Sequence, residues 1–153
     1  MCVLRVCGQS FDVDTHLPAS GLTAIKVWHA GEPRLRGTKP EERKTTSGFT
    51  IGVSDASWDS VDEQTEAALA FLAEHEQALV ALRRAPGVEA MWLDFPVNLR
   101  IDSKTVLVQS DYFQPELVSR AGMLGLGIEI SIYPKDLAEL ADALAADADD
   151  TDS

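Results

Sequence analysis

Ser60-Val61-Asp62-Glu63 opens, and Arg83-Arg84-Ala85-Pro86-Gly87 closes, the longest periodic stretch of the chain. Ser60 with Glu63 three positions later has the form of a capping box, and Asp62 adds negative charge where a helix dipole is positive. Arg83 and Arg84 suit the opposite pole, and Pro86-Gly87 stops the helix. Between these signals Val61, Ala68, Phe71, Leu72, Leu79 and Leu82 form a stripe at helical spacing, so the pattern predicts one amphipathic helix over 61–84. At 1.5 Å per residue such a helix spans about 36 Å, enough to cover a sheet of several strands. His75 falls on the stripe between Leu72 and Leu79, and is expected half-buried where helix meets sheet rather than in a catalytic role.

Strand signals flank the helix. Val88 to Phe95 is apolar on both faces, as in a central strand, and Pro96 is expected to end or interrupt it. Lys104 to Gln109 suggests another strand, and Pro115 to about Leu124 a short helix with proline in its first turn. In the last strand, Ile128 to Tyr133, the isoleucines at 128, 130 and 132 are expected to face the core, turning Glu129, Ser131 and Tyr133 outward. Toward the N-terminus, Cys2–Cys7 and Thr23–His29 read as strands, separated by a polar segment, Asp12–Leu22, that is a loop or one short helical turn. A long loop then leads to Ser47, and Phe49, Ile51 and Val53 alternate with smaller residues as in a half-buried strand. The fold expected over residues 1–134 is a single α+β domain, a mixed β-sheet of about five or six strands packed on one long amphipathic helix and a second short helix. A short helix over 135–146 and a disordered acidic tail over 147–153 complete the expectation.

The chain has 153 residues and a formal charge of −12, from 13 Lys and Arg against 25 Asp and Glu. That balance argues against a general nucleic-acid binder, which needs clustered basic residues on phosphates. Seven of the carboxylates lie after residue 135, so much of the acidity belongs to the tail. The most basic stretch, Lys26 to Lys44, mixes six positive residues with Glu32, Glu41 and Glu42 in the manner of a solvated loop. No apolar run reaches the ~18 residues of a membrane span, and the N-terminus lacks the pattern of a secretion signal, so a cytoplasmic protein is expected.

Motifs that could carry chemistry are few, and each has a structural reading beside it. Gly122, Gly125 and Gly127 reverse the dinucleotide-binding spacing and follow a helix instead of opening one, so helix termination is the better reading. Asp12, Asp14 and His16 would share one side of an extended chain as metal ligands, or belong to an acidic loop with Asp14 capping a helical turn. Cys2 could serve as an N-terminal nucleophile if Met1 were removed, against the alternative that Cys2 and Cys7 are buried reduced thiols on opposite faces. His29, after Trp28 at a strand end, is as readily a loop contact as a site residue. No catalytic, cofactor-binding or metal-binding set is therefore assigned.

Several segments carry a family resemblance. Ser20-Gly21-Leu22-Thr23, Gly31-Glu32-Pro33-Arg34, Ser47-Gly48-Phe49-Thr50-Ile51 and Phe71-Leu72-Ala73-Glu74-His75, followed by Phe113-Gln114-Pro115-Glu116-Leu117, Gly125-Leu126-Gly127-Ile128 and Tyr133-Pro134, together resemble the bacterial domain of unknown function 4279 family over residues 1 to 134. Small domains of this kind look like immunity proteins of bacterial toxin systems, which implies a non-catalytic protein that neutralises a basic toxin by protein–protein contact. A small enzyme using Cys2 or a histidine, and a ligand-sensing regulatory domain, are the alternatives. The surface expected to bind such a partner is the outward side of the sheet, with Asp94, Asp111, Tyr112, Glu129 and Tyr133, where carboxylates steer a cation and tyrosines supply contact area. An ordinary wet sheet face is the structural alternative.

Overall fold

The computed structural model describes residues 1–33, 42–102 and 104–134. In chain order the elements are β1 (Val3–Gly8), α1 (Val13–Ser20), β2 (Lys26–Trp28), β3 (Ser47–Gly52), α2 (Val61–Glu74), α3 (Glu76–Arg84), β4 (Ala90–Asn98), α4 (Pro115–Met123) and β5 (Gly127–Tyr133). The strands form one mixed sheet, ordered β2-β3-β1-β4-β5, in which only β4 and β5 run parallel. The α+β class, the mixed sheet and its coverage by helices on one side agree with the expectation from sequence. The expected segments 135–146 and 147–153 lie outside the described residues.

Leu4, Val6, Phe49, Leu93, Phe95 and Val97 project from the helix side of the sheet and are completely buried, against Leu72 and Leu79 from the helices and Leu117 from α4. Each side chain of this size contributes about 1.5–3 kcal/mol on leaving water, so this layer dominates stability. On the opposite side the register aligns Arg5 with Trp92 in β1 and β4, and Asp94 with Glu129 in β4 and β5.

The single helix expected over 61–84 is two helices that meet at His75, whose backbone (φ −108°, ψ 17°) leaves the α region. The hydrogen bonds from His75 N–H to Phe71 C=O and from Leu79 N–H to His75 C=O, both 3.0 Å, bridge the break. No glycine or proline signals it. The bend lets one apolar stripe serve two neighbours, with α2 packed on α4 and α3 on α1. His75 is half-buried as expected, its ring 4.6 Å from that of Phe71.

Four further expectations are corrected. Asp12–Leu22 contains a two-turn helix, α1, capped by the Asp12 carboxylate accepting from Thr15 N–H at 3.2 Å, so Asp12 and not Asp14 is the cap. The second strand shrinks to Lys26–Trp28. Lys104–Gln109 is no strand, because the Asp102 carboxylate accepts from the backbone N–H groups of Lys104, Thr105 and Val106 at 2.7–2.9 Å and winds this segment into a turn. Pro96 lies inside β4 rather than ending it. β1 pairs with β4 only up to Asp94, so the missing N–H of Pro96 interrupts no ladder on that side; its carbonyl instead accepts from Gln64 Nε2 at 3.0 Å.

The isoleucines of β5 also depart from expectation. Ile128, Ile130 and Ile132 share the helix side with Leu93, Phe95 and Val97, yet Ile130 is 41% and Ile132 55% exposed. β5 is an edge strand of the described sheet, and the described helices do not reach over its far end.

Candidate functional site

The helix-free side of the sheet brings Asp94, Glu129, Ser131 and Tyr133 together as expected, because β4 and β5 are neighbours and residues two apart share a side. Asp94, however, is only 3% exposed. Arg5 Nη2 donates to one of its oxygens at 2.8 Å and Ser131 Oγ to the other at 2.7 Å, so its carboxylate is held within the sheet rather than offered to a partner. Glu129 is exposed and accepts from Trp92 Nε1 at 2.5 Å. Tyr133 is half-buried, with its ring 4.8 Å from that of Trp58.

Asp111 and Tyr112 belong to a cleft of about 340 Å³ at the C-terminal end of β4, lined also by Asp59, Asp62, Arg100 and Ser110. Three elements meet there: the loop before α2, the first turn of α2, and the chain between β4 and α4. Ser60, at the start of α2, accepts from Glu63 N–H at 3.4 Å, while the N–H of Ser60 donates to Ser57 C=O, so only half of the expected capping box forms. Gln64, fully buried one turn into α2, donates to Ser57 C=O and Pro96 C=O at 3.0 Å each and ties the loop to β4. Asn98 N–H donates to Trp58 C=O and its side-chain amide to Asp59 Oδ1, fixing the near wall.

The far wall is a hydrogen-bonded network. Arg100 Nη2 donates to Asp111 Oδ1 at 2.6 Å, and Gln109 Nε2 donates to Asp111 Oδ2 at 3.1 Å and to Asn98 C=O at 3.3 Å. Gln109 Oε1 in turn accepts from Arg100 N–H at 2.9 Å. Burial pushes the Asp111 carboxyl up, but the hydrogen bonds from Arg100 and Gln109 and the charge of Arg100 outweigh it and hold Asp111 below the usual carboxylate range. Of the three carboxylates in the lining, Asp111 is neutralised by Arg100 and built into the wall, which leaves Asp59 and Asp62 uncompensated by a cation in the lining. Tyr112, 70% exposed, stands at the rim. Chemically the cleft suits a cation with hydrogen-bond donors.

Asp59, Asp62 and Arg100 were not singled out from sequence as binding residues. Asp62 carried a capping signal that drew attention away from its place at a cleft, and Asp59 and Arg100 sit in irregular chain with no pattern to mark them. Asp111 and Tyr112 follow no strand, since the one expected before them is absent, and they reach the site through the Arg100–Gln109 network instead.

The other sequence candidates are placed elsewhere. Cys2 is buried, and burial, with a further push from the Asp94 charge, raises its thiol to about 12, far from a thiolate nucleophile at neutral pH. Cys7, half-buried, is raised chiefly by burial and then by Glu89. Asp12, Asp14 and His16 do not converge, because α1 turns successive alternate residues to different sides; His16 stacks on Phe11 at 5.7 Å. Among the described residues no group of His, Cys, Asp and Glu is arranged to hold a metal ion. Gly125 (φ 69°) ends α4 with its own N–H bonded to Gly122 C=O and Leu126 N–H bonded to Ala121 C=O, a helix-terminating turn rather than a phosphate cradle.

Among the described residues no helix is long and apolar enough to cross a membrane. Comparisons with protein-family profiles, with curated proteins and with solved structures find no match to this chain.

Proposed function

We propose that the chain is a non-catalytic binding protein that docks a basic protein partner at the Asp59–Asp62–Asp111 cleft and the adjoining sheet surface around Glu129 and Tyr133. Neutralisation of a bacterial toxin by protein–protein contact, as an immunity protein does, is the concrete form of this reading. The observation that carries it is the charge of the cleft: Asp59 and Asp62 line it without a cation of their own there, while Arg100, the cation in the lining, is already paired with Asp111 in the wall. A lysine or arginine of the partner entering there meets acceptors without displacing a structural ion pair, and Tyr112 offers contact area at low entropic cost. The formal charge of −12 adds long-range steering toward a cationic surface. Asp94, committed to Arg5 and Ser131, supports the surface from beneath and makes no direct contact.

The experiment is affinity capture followed by mass spectrometry, with wild type and Asp62→Asn/Tyr112→Ala side by side. Neither substitution touches the Arg100–Asp111 network, so both proteins should fold equally well. The expected result is a basic protein retained by wild type and lost from the variant, with an association rate that falls as salt rises. Co-expression should then rescue cells from the toxicity of that protein. Identical capture by both proteins would show that the cleft is not the docking site.

A further inference from the structure

The two edges of the sheet are built differently. β2 spans only Lys26–Trp28 and carries a lysine, whereas β5 is a seven-residue strand, Gly127–Tyr133, without proline or lysine. Among the described residues nothing pairs with its outer edge. Long apolar edges of this kind are ready templates for another strand.

We infer that the chain forms a twofold homodimer by antiparallel pairing of β5 with β5 of a second copy, in the register centred on Ile130. Backbone direction selects this register. Leu99 N–H donates to Tyr133 C=O at 2.6 Å, so Tyr133 turns its backbone groups toward β4. Direction alternates along a strand, which leaves the N–H and C=O groups of Ile128, Ile130 and Ile132 pointing outward and unpaired. Centring on Ile130 sets Ile130 opposite its own copy and Ile128 opposite Ile132 of the second copy, and each of these pairs then exchanges both of its hydrogen bonds.

The side chains agree with the backbone. On the helix side the half-exposed isoleucines of both copies become one continuous apolar row. On the other side Glu129 faces Ser131 of the second copy, so no like charges oppose one another, and Tyr133 faces Gly127, which leaves room for the ring. A shift by one residue would put inward-pointing backbone groups at the interface and lose the pairing. The occupant is therefore a second copy, because the strand is its own complement. The charge of −12 on each chain opposes association, so the dimer should tighten as salt rises, the reverse of the expected partner complex.

Sedimentation of the full chain over a concentration series, at physiological and at higher salt, tests the inference. A particle of twice the 16.6 kDa chain mass is expected, with tighter association at the higher salt. Ile130→Lys should be monomeric at the concentrations where wild type is a dimer, with an unchanged circular dichroism spectrum. Ile130→Pro is the second variant; it deletes an N–H that points away from β4 and should likewise dissociate the dimer while the sheet persists. In wild type, amide exchange at Ile128, Ile130 and Ile132 should slow as concentration rises. A monomer under all conditions, or a dimer that survives in both variants, overturns the inference. So does concentration-independent protection in a monomer, which would mean that residues 135–153 of the same chain cover the edge.

Discussion

β4 and β5 run side by side and parallel, with Leu93 opposite Ile128, Phe95 opposite Ile130 and Val97 opposite Ile132. The two rows point to the same side, separated by Asp94 and Pro96 in β4 and by Glu129 and Ser131 in β5. Yet the β4 row is fully buried, while in β5 burial falls away along the strand. The difference lies in position. β4 has β1 on one side up to Asp94 and β5 on the other from Trp92 onward, with α2 packed on it; among the described residues β5 has one strand neighbour and α4. Alternation reports which side of a sheet a residue faces, and the neighbours of the strand decide whether that side is dry.

The largest expected effect breaks the comparison if it fails. Phe95→Ala removes a completely buried ring that packs on Phe113 at 4.8 Å, and should cost about 3–5 kcal/mol. Ile132→Ala, at the exposed end of the neighbouring row, should cost no more than about 0.5–1 kcal/mol. Urea unfolding followed by tryptophan fluorescence, at one protein concentration, measures both. Comparable losses would mean that the end of β5 is as well covered as β4.

The polar sides of the same strands sharpen the point at smaller magnitude. Asp94 and Glu129 are opposed across the pair, but Asp94 alone accepts from two side chains, Arg5 and Ser131. Asp94→Ala leaves both donors without that acceptor, at a site where Arg5 Nε already lacks a protein partner, and should cost about 1–3 kcal/mol. Glu129→Ala returns Trp92 Nε1 to water and should lie within about 0.5 kcal/mol of wild type. Equal effects would show that Glu129 is as structural as Asp94, and would remove it from the proposed docking surface.

This contrast also explains what was legible in the sequence. Signals that act within a few residues were readable: the Ser60 cap, the proline that opens α4 at Pro115 and the glycine turn at Gly125; the alternation at Phe49 and Ile51 marked a strand but not that Gly48 and Thr50 on its other side are buried too. Effects set by distant neighbours were not. Pro96 is tolerated because β1 has already ended beside it, and Ile130 is exposed because no helix among the described residues covers it; neither fact is written near those residues. Lys104–Gln109 failed for a local reason that periodicity does not weigh, the capture of three amides by the Asp102 carboxylate. Of the five residues expected to form the binding surface, β-strand alternation placed Glu129 and Tyr133 on the helix-free side, and Asp94 joins them because β4 and β5 are neighbours, but no pattern could show that Asp94 is consumed there. The cleft itself depends on contacts between Asn98 and Asp59 and between Arg100 and Asp111, pairs that no short-range pattern announces.

The opposite edge of the sheet gives the smallest and most specific test. Beyond β2, His29 joins two segments, with Nε2 3.1 Å from the Asp14 carboxylate at the start of α1 and Nδ1 3.1 Å from Glu32, which also holds Lys44 at 2.8 Å. Where β5 leaves its edge open, this edge is clasped by charge. The hydrogen bond to Asp14, then that to Glu32, raise the His29 pKa above its ordinary 6.5. A raised folded-state pKa contributes stability that is fully present below the unfolded value of 6.5 and is lost as pH climbs through the folded value. His29→Asn should therefore be less stable than wild type on the acid side of 6.5, with the gap closing at higher pH. The gap should also be small, since the clasp is solvent-exposed and screened. Proton NMR titration reads the cause directly. The His29 ring should titrate above 6.5, and Asp14→Asn should lower that midpoint more than Glu32→Gln does, in keeping with the order of the two contributions. If both substitutions leave the midpoint unmoved, His29 is an ordinary surface histidine, and the two edges differ in length alone.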